Sequence, residues 1–120
     1  MNVKTSLPQI DASTKAQLKT IVAAIDQVKG QDTVVLDVRR FLIPTSFMVI
    51  TSVDTPRQMR AIRDEIGQRL SDVPFMEEGK DSQQWLVVDY GSVIVHIMSE
   101  QARAFYELDE LWEGAEVALE

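Results

Sequence analysis

Apolar residues recur at helical spacing over residues 13–29, where Leu18, Ile21, Val22, Ile25 and Val28 form one stripe. Thr14, with Gln17 three places on, reads as the capping box of that helix, and Gly30 stands where it would stop. The pattern then changes. Residues 33–38 and 46–52 are short, apolar and β-branched, as buried strands are, and a loop around Pro44 separates them. In Thr55-Pro56-Arg57-Gln58 a cap, a first-turn proline and a box-closing glutamine predict a second helix, with Met59, Ile62, Ile66 and Leu70 turned inward. A short strand is expected around residues 73–76, followed by a polar turn. Two further apolar runs, 85–89 and 93–98, enclose Tyr90-Gly91-Ser92 and predict a hairpin. Along its second strand Val93, Val95 and Ile97 face one way, and Ile94, His96 and Met98 the other. Ser99 then caps a last helix with Phe105, Leu108, Leu111 or Trp112, and Ala115 on its apolar side. This order predicts an α/β fold: a mixed β-sheet of about five strands flanked by helices.

The chain has 120 residues, 45% of them hydrophobic and 26% charged, which suits one globular domain spanning 1–120. Residues 1–12 are expected to be a flexible N-terminus and 116–120 a frayed C-terminus. Cysteine is absent, which excludes disulfides, zinc ribbons and thiol nucleophiles and fits a reducing compartment. No run approaches the length of a membrane span, and the N-terminus lacks a signal-peptide core, so a cytoplasmic protein with no membrane partner is expected. A formal charge of −7 argues against a general nucleic-acid binder. Between Glu100 and Glu120 seven acids face a single base, Arg103, so the acidity belongs to the last helix region. Such a region is either a solvated face or one that docks on a basic surface. Arg57, Arg60 and Arg63 make a basic ridge on the second helix, but no glycine-rich backbone lies beside them to form a phosphate site.

Enzymatic readings fare poorly. The chain contains neither the P-loop nor the dinucleotide glycine pattern, and no GxSxG elbow. One histidine with the single carboxylates Asp37 and Asp89 is not a defined metal set, and no Asp-x-Asp pair lies in the strands or at their edges. The open question is Asp89 and His96, seven positions apart around the predicted hairpin. They are an acid–base pair, a hydrogen-bonded structural feature, or part of a docking rim. Trp85, Tyr90, Phe105, Tyr106 and Trp112 all fall in the C-terminal third. Such residues pack cores and also form the centres of interfaces.

Residues 85–112, WLVVDYGSVIVHIMSEQARAFYELDELW, resemble the signature of the ribosomal silencing factors, the Iojap-related proteins. The match rests on Trp85, Asp89, Tyr90, Gly91, Val95 and His96, then Arg103, Tyr106, Leu108, Leu111 and Trp112. Upstream, LDVRR, FMVITS and the helix start at Arg57-Gln58 also fit, so the resemblance covers about residues 10–115. Ser46 and Ser92 stand where the family pattern carries aspartate, Val53 where glycine is common, and Asp109 where it has glutamate.

The resemblance implies a nucleotidyltransferase-like α/β fold without catalytic acids, and no enzymatic activity, cofactor or metal. It implies binding to the large ribosomal subunit through ribosomal protein L-fourteen, which sterically blocks association with the small subunit and lowers translation when nutrients are short. No direct sequence-specific contact with nucleic acid is expected. Self-association as a homodimer is the expected alternative use of the aromatic face when the protein is free. The expected partner-binding residues are Trp85, Asp89, Tyr90, His96, Met98, Tyr106, Leu108, Asp109 and Trp112. Two other classes compete. One is a small nucleotidyltransferase-like or hydrolytic enzyme using Asp37, Asp89 and His96; the other is a homodimeric scaffold with no ribosomal role.

Overall fold

In the computed structural model, which describes residues 9–119, the first helix α1 (Ala12–Gln27) begins earlier than its apolar stripe suggests. Asp11 is the cap: its Oδ1 accepts from the Thr14 backbone N–H at 2.8 Å, so Thr14 lies inside the first turn. This corrects the Thr14–Gln17 box. A carboxylate is a stronger acceptor than a hydroxyl and also complements the positive end of the helix. At the other end Lys29 takes a left-handed φ of 65°. Its N–H donates to the Asp26 carbonyl and the Gly30 N–H to that of Ile25, at 3.0 and 2.9 Å, which closes the helix twice. Gly30 is required for space: a Cβ there would lie 2.6 Å from Thr51 Oγ1 and collide with Ile25.

Strands β1 (Gln31–Asp37) and β2 (Phe47–Val53) pair antiparallel. After the second helix, α2 (Pro56–Arg69), come β3 (Met76–Glu78), β4 (Trp85–Asp89) and β5 (Val93–Ser99). β5 pairs antiparallel with β4 and parallel with β2. A sixth strand, β6 (Glu116–Val117), pairs with Val35 and Leu36, giving the order β3-β4-β5-β2-β1-β6. The expected mixed sheet of about five strands has six, and residues 116–117, expected to be frayed, form the sixth. Val117 and Leu119 pack on the core, whose apolar contact holds so short a strand in place. The strand expected at 73–76 is displaced: only Met76 joins it, while Val73 and Phe75 are exposed. Of the expected flexible N-terminus, residues 1–8 lie outside the described residues.

The start of α2 follows its sequence signals with one change. Thr55 Oγ1 accepts from the Gln58 N–H at 3.1 Å, but the Gln58 side chain returns to the Asp54 N–H (2.9 Å) rather than to Thr55. Its amide nitrogen also donates to the carbonyls of Val28 and Lys29, at 3.0 and 2.9 Å. One side chain thus joins the start of α2 to the end of α1 and satisfies carbonyls that the helix leaves unpaired.

Both long helices cover one face of the sheet. Leu18, Ile21, Ile25, Met59, Ile62 and Ile66 pack there on alternate strand residues such as Val49, Val88 and Val95. The other face carries Leu36, Met48, Ile50 and Met98 under the short helices α3 (Glu100–Tyr106) and α4 (Leu108–Leu111). The expected single last helix is therefore broken, at Glu107, whose φ of 50° and ψ of 41° are left-handed. Leu108 and Ala115 are buried as expected, but Phe105 and Leu111 are exposed.

Candidate functional site

Alternation along the strands separates Asp37 from Asp89 and His96, the other two groups of the enzymatic reading. Asp37 pairs with Phe47 in the sheet and so shares the face covered by the long helices. His96 is flanked by Ile50 and Val87, and Asp89 by Ile94, all on the opposite face. Each polar group is also committed elsewhere. Arg39 grips Asp37 with two side-chain bonds of 2.9 and 2.7 Å. Burial alone would raise the Asp37 carboxyl, but the guanidinium and the Arg39 backbone N–H hold it below its ordinary value. Asp89 Oδ1 accepts from the Gly91 N–H at 2.7 Å, which shapes the hairpin turn. Among the described residues no cluster of three or more His, Asp or Glu side chains is placed to hold a metal ion.

His96 has a different partner. Trp85 Nε1 donates to His96 Nδ1 at 3.0 Å, which leaves the ring proton of the neutral imidazole on Nε2. Burial drives the His96 pKa from 6.5 down to about 4, so the ring is uncharged near neutrality. Nε2 is itself buried with no partner among the described residues, as is the indole nitrogen of Trp112. From His96 a row of rings runs outward: Trp85 at 5.8 Å, Tyr106 at 4.9 Å from Trp85, and Phe105 edge-on at 5.0 Å from Tyr106. Exposure rises along the row from 8% at His96 to 54% at Tyr106 and 79% at Phe105. Exposed aromatic surface backed by a buried, hydrogen-bonded ring is the kind of surface from which interface anchors are built.

The remaining expected residues divide by place. Met98, opposite Trp85 in the ladder, is fully buried, and it shares the core of that face with Leu108 of α4. Trp112 packs edge-on against Phe41 at 5.0 Å. Asp89 and Tyr90 lie at the hairpin tip, beside a cleft of about 540 Å³ that Phe75, Ser46 and Ser92 also line. There Gly91 is needed, because its φ is 89° and a Cβ would come within 2.8 Å of the Phe75 ring. Ser46 and Ser92 meet as neighbours, the Ser46 N–H donating to the Ser92 carbonyl at 3.1 Å, so two of the departures from the family pattern fall on one spot.

Asp109 is bound inside the molecule. Arg103 reaches its two carboxylate oxygens at 3.1 and 2.7 Å, and this pairing lowers the Asp109 pKa. Glu107, Glu110 and Glu113 are exposed and make no side-chain ion pair among the described residues. Sequence reasoning missed Phe105 and Phe75 as exposed rings. Phe105 carried a misleading signal, since on an unbroken helix it falls on the apolar side. Phe75 carried a misleading one too, since it lies within the apolar run expected to form a strand at 73–76.

A family model described as "Ribosomal silencing factor during starvation" matches residues 11–120. A protein of Haemophilus influenzae named ribosomal silencing factor RsfS is 37% identical over 100 residues, 81% of this chain and 98% of that one. A mouse protein named mitochondrial assembly of ribosomal large subunit protein 1 is 29% identical over 111 residues, 88% of this chain and 49% of that one. A crystal structure of a Chromobacterium violaceum protein superposes with a TM-score of 0.78 at 26% identity, covering 92% of each chain.

Proposed function

The chain belongs to the ribosomal silencing factor family, which is not enzymatic, and on that premise we propose that it represses translation in the cytoplasm by docking on ribosomal protein L-fourteen of the large subunit. The bound protein stands where the small subunit would join, so repression is steric and needs neither turnover nor a cofactor. The observation that carries this reading is the ring row on a half-covered sheet face, with Tyr106 and Phe105 exposed above the buried His96–Trp85 pair. Phe105, Tyr106 and Trp85 form the anchor, and His96, Met98, Leu108 and Trp112 support it from beneath. Asp89 and Tyr90 supply a second contact at the hairpin tip. The exposed carboxylates Glu107, Glu110 and Glu113 draw the acidic side towards a basic protein surface.

Sedimentation tests it. The protein is expected to travel with isolated large subunits, to be absent from intact ribosomes, and to lower the yield of joined ribosomes when added before the small subunit. Co-sedimentation with intact ribosomes to the same extent, or unchanged joining, would sink the proposal. Self-association as the sole interaction would favour a homodimeric scaffold instead.

A further inference from the structure

We propose that Arg103 is a positioning residue that sets the ring row for docking, and that Asp109 is its internal counter-ion and not a contact to the partner. This rests on the docking reading above and names the device that maintains its anchor. Phe105 and Tyr106 sit on the last turn of α3, directly before the left-handed residue Glu107. A non-glycine residue in that conformation costs on the order of 1 kcal/mol, so the bend needs interactions that hold it. The Arg103 guanidinium spans it. Two of its nitrogens take the carboxylate of Asp109 beyond the bend, at 3.1 and 2.7 Å. The third nitrogen of the fork donates to the Asp32 carbonyl at 2.6 Å and to Ser52 Oγ at 3.0 Å. Four bonds thus fix α3, the first residues of α4, the start of β1 and the end of β2 to one planar group. A lysine has a single donor centre and reaches only part of this set.

Spacing supports the same reading. Arg103 and Asp109 are six positions apart, too far for a pair on one continuous helix, where partners lie three or four apart. The ion pair forms only when the chain turns at Glu107. The turn in turn leaves Tyr106 in tilted contact with Trp85, ring centroids 4.9 Å apart. The Arg103 side chain is largely buried and Asp109 is about a third exposed, so the bidentate pair is held more firmly than an ordinary surface pair.

The test has two readouts on the full chain. In the free protein, NMR of the Tyr106 ring reports its contact with the Trp85 ring. Asp109→Asn and Arg103→Gln should move those resonances towards the values of a tyrosine with no neighbouring ring, while amides of α1 and α2 stay in place; Asp109→Glu should keep them where they are. On isolated large subunits, Asp109→Asn should weaken binding roughly tenfold, or about 1.4 kcal/mol, with the dependence on salt unchanged. Glu110→Gln should instead reduce the salt dependence, because that carboxylate faces outward. Should Arg103→Gln fail to fold, Asp109→Asn and its glutamate counterpart carry the test alone. Unmoved Tyr106 resonances in Asp109→Asn would overturn the proposal. So would a fall in salt dependence in that variant, which would make Asp109 a partner contact. If the unmodified protein does not bind large subunits, the docking reading fails, and the ring resonances still decide whether Arg103 holds the bend.

Discussion

On one face of the sheet Leu18, Ile21, Ile25, Met59, Ile62 and Ile66 are shut away from solvent beneath two long helices. On the other, the same strands are covered by helices of seven and four residues, and Tyr106 and Phe105 stand 54% and 79% exposed. The closed face satisfies itself: apolar stripes meet apolar strand residues, and Gln58 links the helix ends. The half-open face joins an apolar floor to polar groups, a neutral histidine, an indole and an arginine–aspartate clamp, beside an aromatic rim. Burial supplies stability on the first. On the proposed reading the second keeps part of its apolar surface for a partner, so substitutions on the two faces should separate stability from binding.

The largest stability effect belongs to the closed face. Ile62→Ala removes three carbons from a fully buried position of α2 and should cost about 2–5 kcal/mol, read as a lower midpoint in urea. The folded fraction should still bind large subunits with unchanged affinity. A loss of affinity matching the loss of stability would mean that the faces are not separable.

Acid should strike the half-open face first. Folded His96 has a pKa of about 4 against 6.5 when unexposed surroundings are absent. Between those values the unfolded chain binds the extra proton, so stability is full above pH 6.5 and falls as pH drops towards 4. The loss should reach roughly 3 kcal/mol at the acid end. Asp37 and Asp109 have pKa values lowered from 3.8, so their contributions persist until more acidic pH. Denaturant midpoints at pH 7 and 4.5, in the unmodified chain and in His96→Gln, measure it. An equal pH dependence in both would remove His96 as the cause.

Phe105→Ala is the complementary change on the rim. Its ring is mostly exposed, so stability should move by less than about 0.5 kcal/mol. Affinity for large subunits should fall about tenfold or more, as truncating an anchor does. Unchanged affinity would show that the outer end of the ring row is idle.

The contrast between the faces also explains what was legible in the sequence. The closed face obeys periodicity: α1, α2 and the strands around Val49 and Val95 follow from apolar spacing, because most apolar residues there are buried against their own chain. The half-open face breaks the rule at several points. Residues 100–111 read as one helix, since nothing local marks Glu107 as left-handed; the bend is set by Arg103 reaching Asp32, Ser52 and Asp109. β6 is two residues long and depends on tertiary packing. The strand partners of the hairpin were readable from Gly91 and the flanking runs. Which side chain would meet His96 was not. The register sets Asp89 opposite Ile94 and Trp85 opposite Met98, and the indole, not the carboxylate, reaches the imidazole.

The smallest change sharpens the division most cleanly, because it alters the closed face only on its outer surface. Gly67 lies in the last turns of α2, and a Cβ added there meets no atom within 4 Å. Its φ is not in the left-handed range, so alanine fits the backbone as it stands. Glycine within a helix is worse than alanine by up to about 1 kcal/mol, chiefly through the freedom it gives the unfolded chain. Gly67→Ala should therefore raise stability by roughly 0.5–1 kcal/mol and leave large-subunit affinity unchanged. Calorimetry and sedimentation read the two effects. If the variant is more stable but binds less well, the outer surface of α2 touches the ribosome too, and the half-open face is not the whole docking surface.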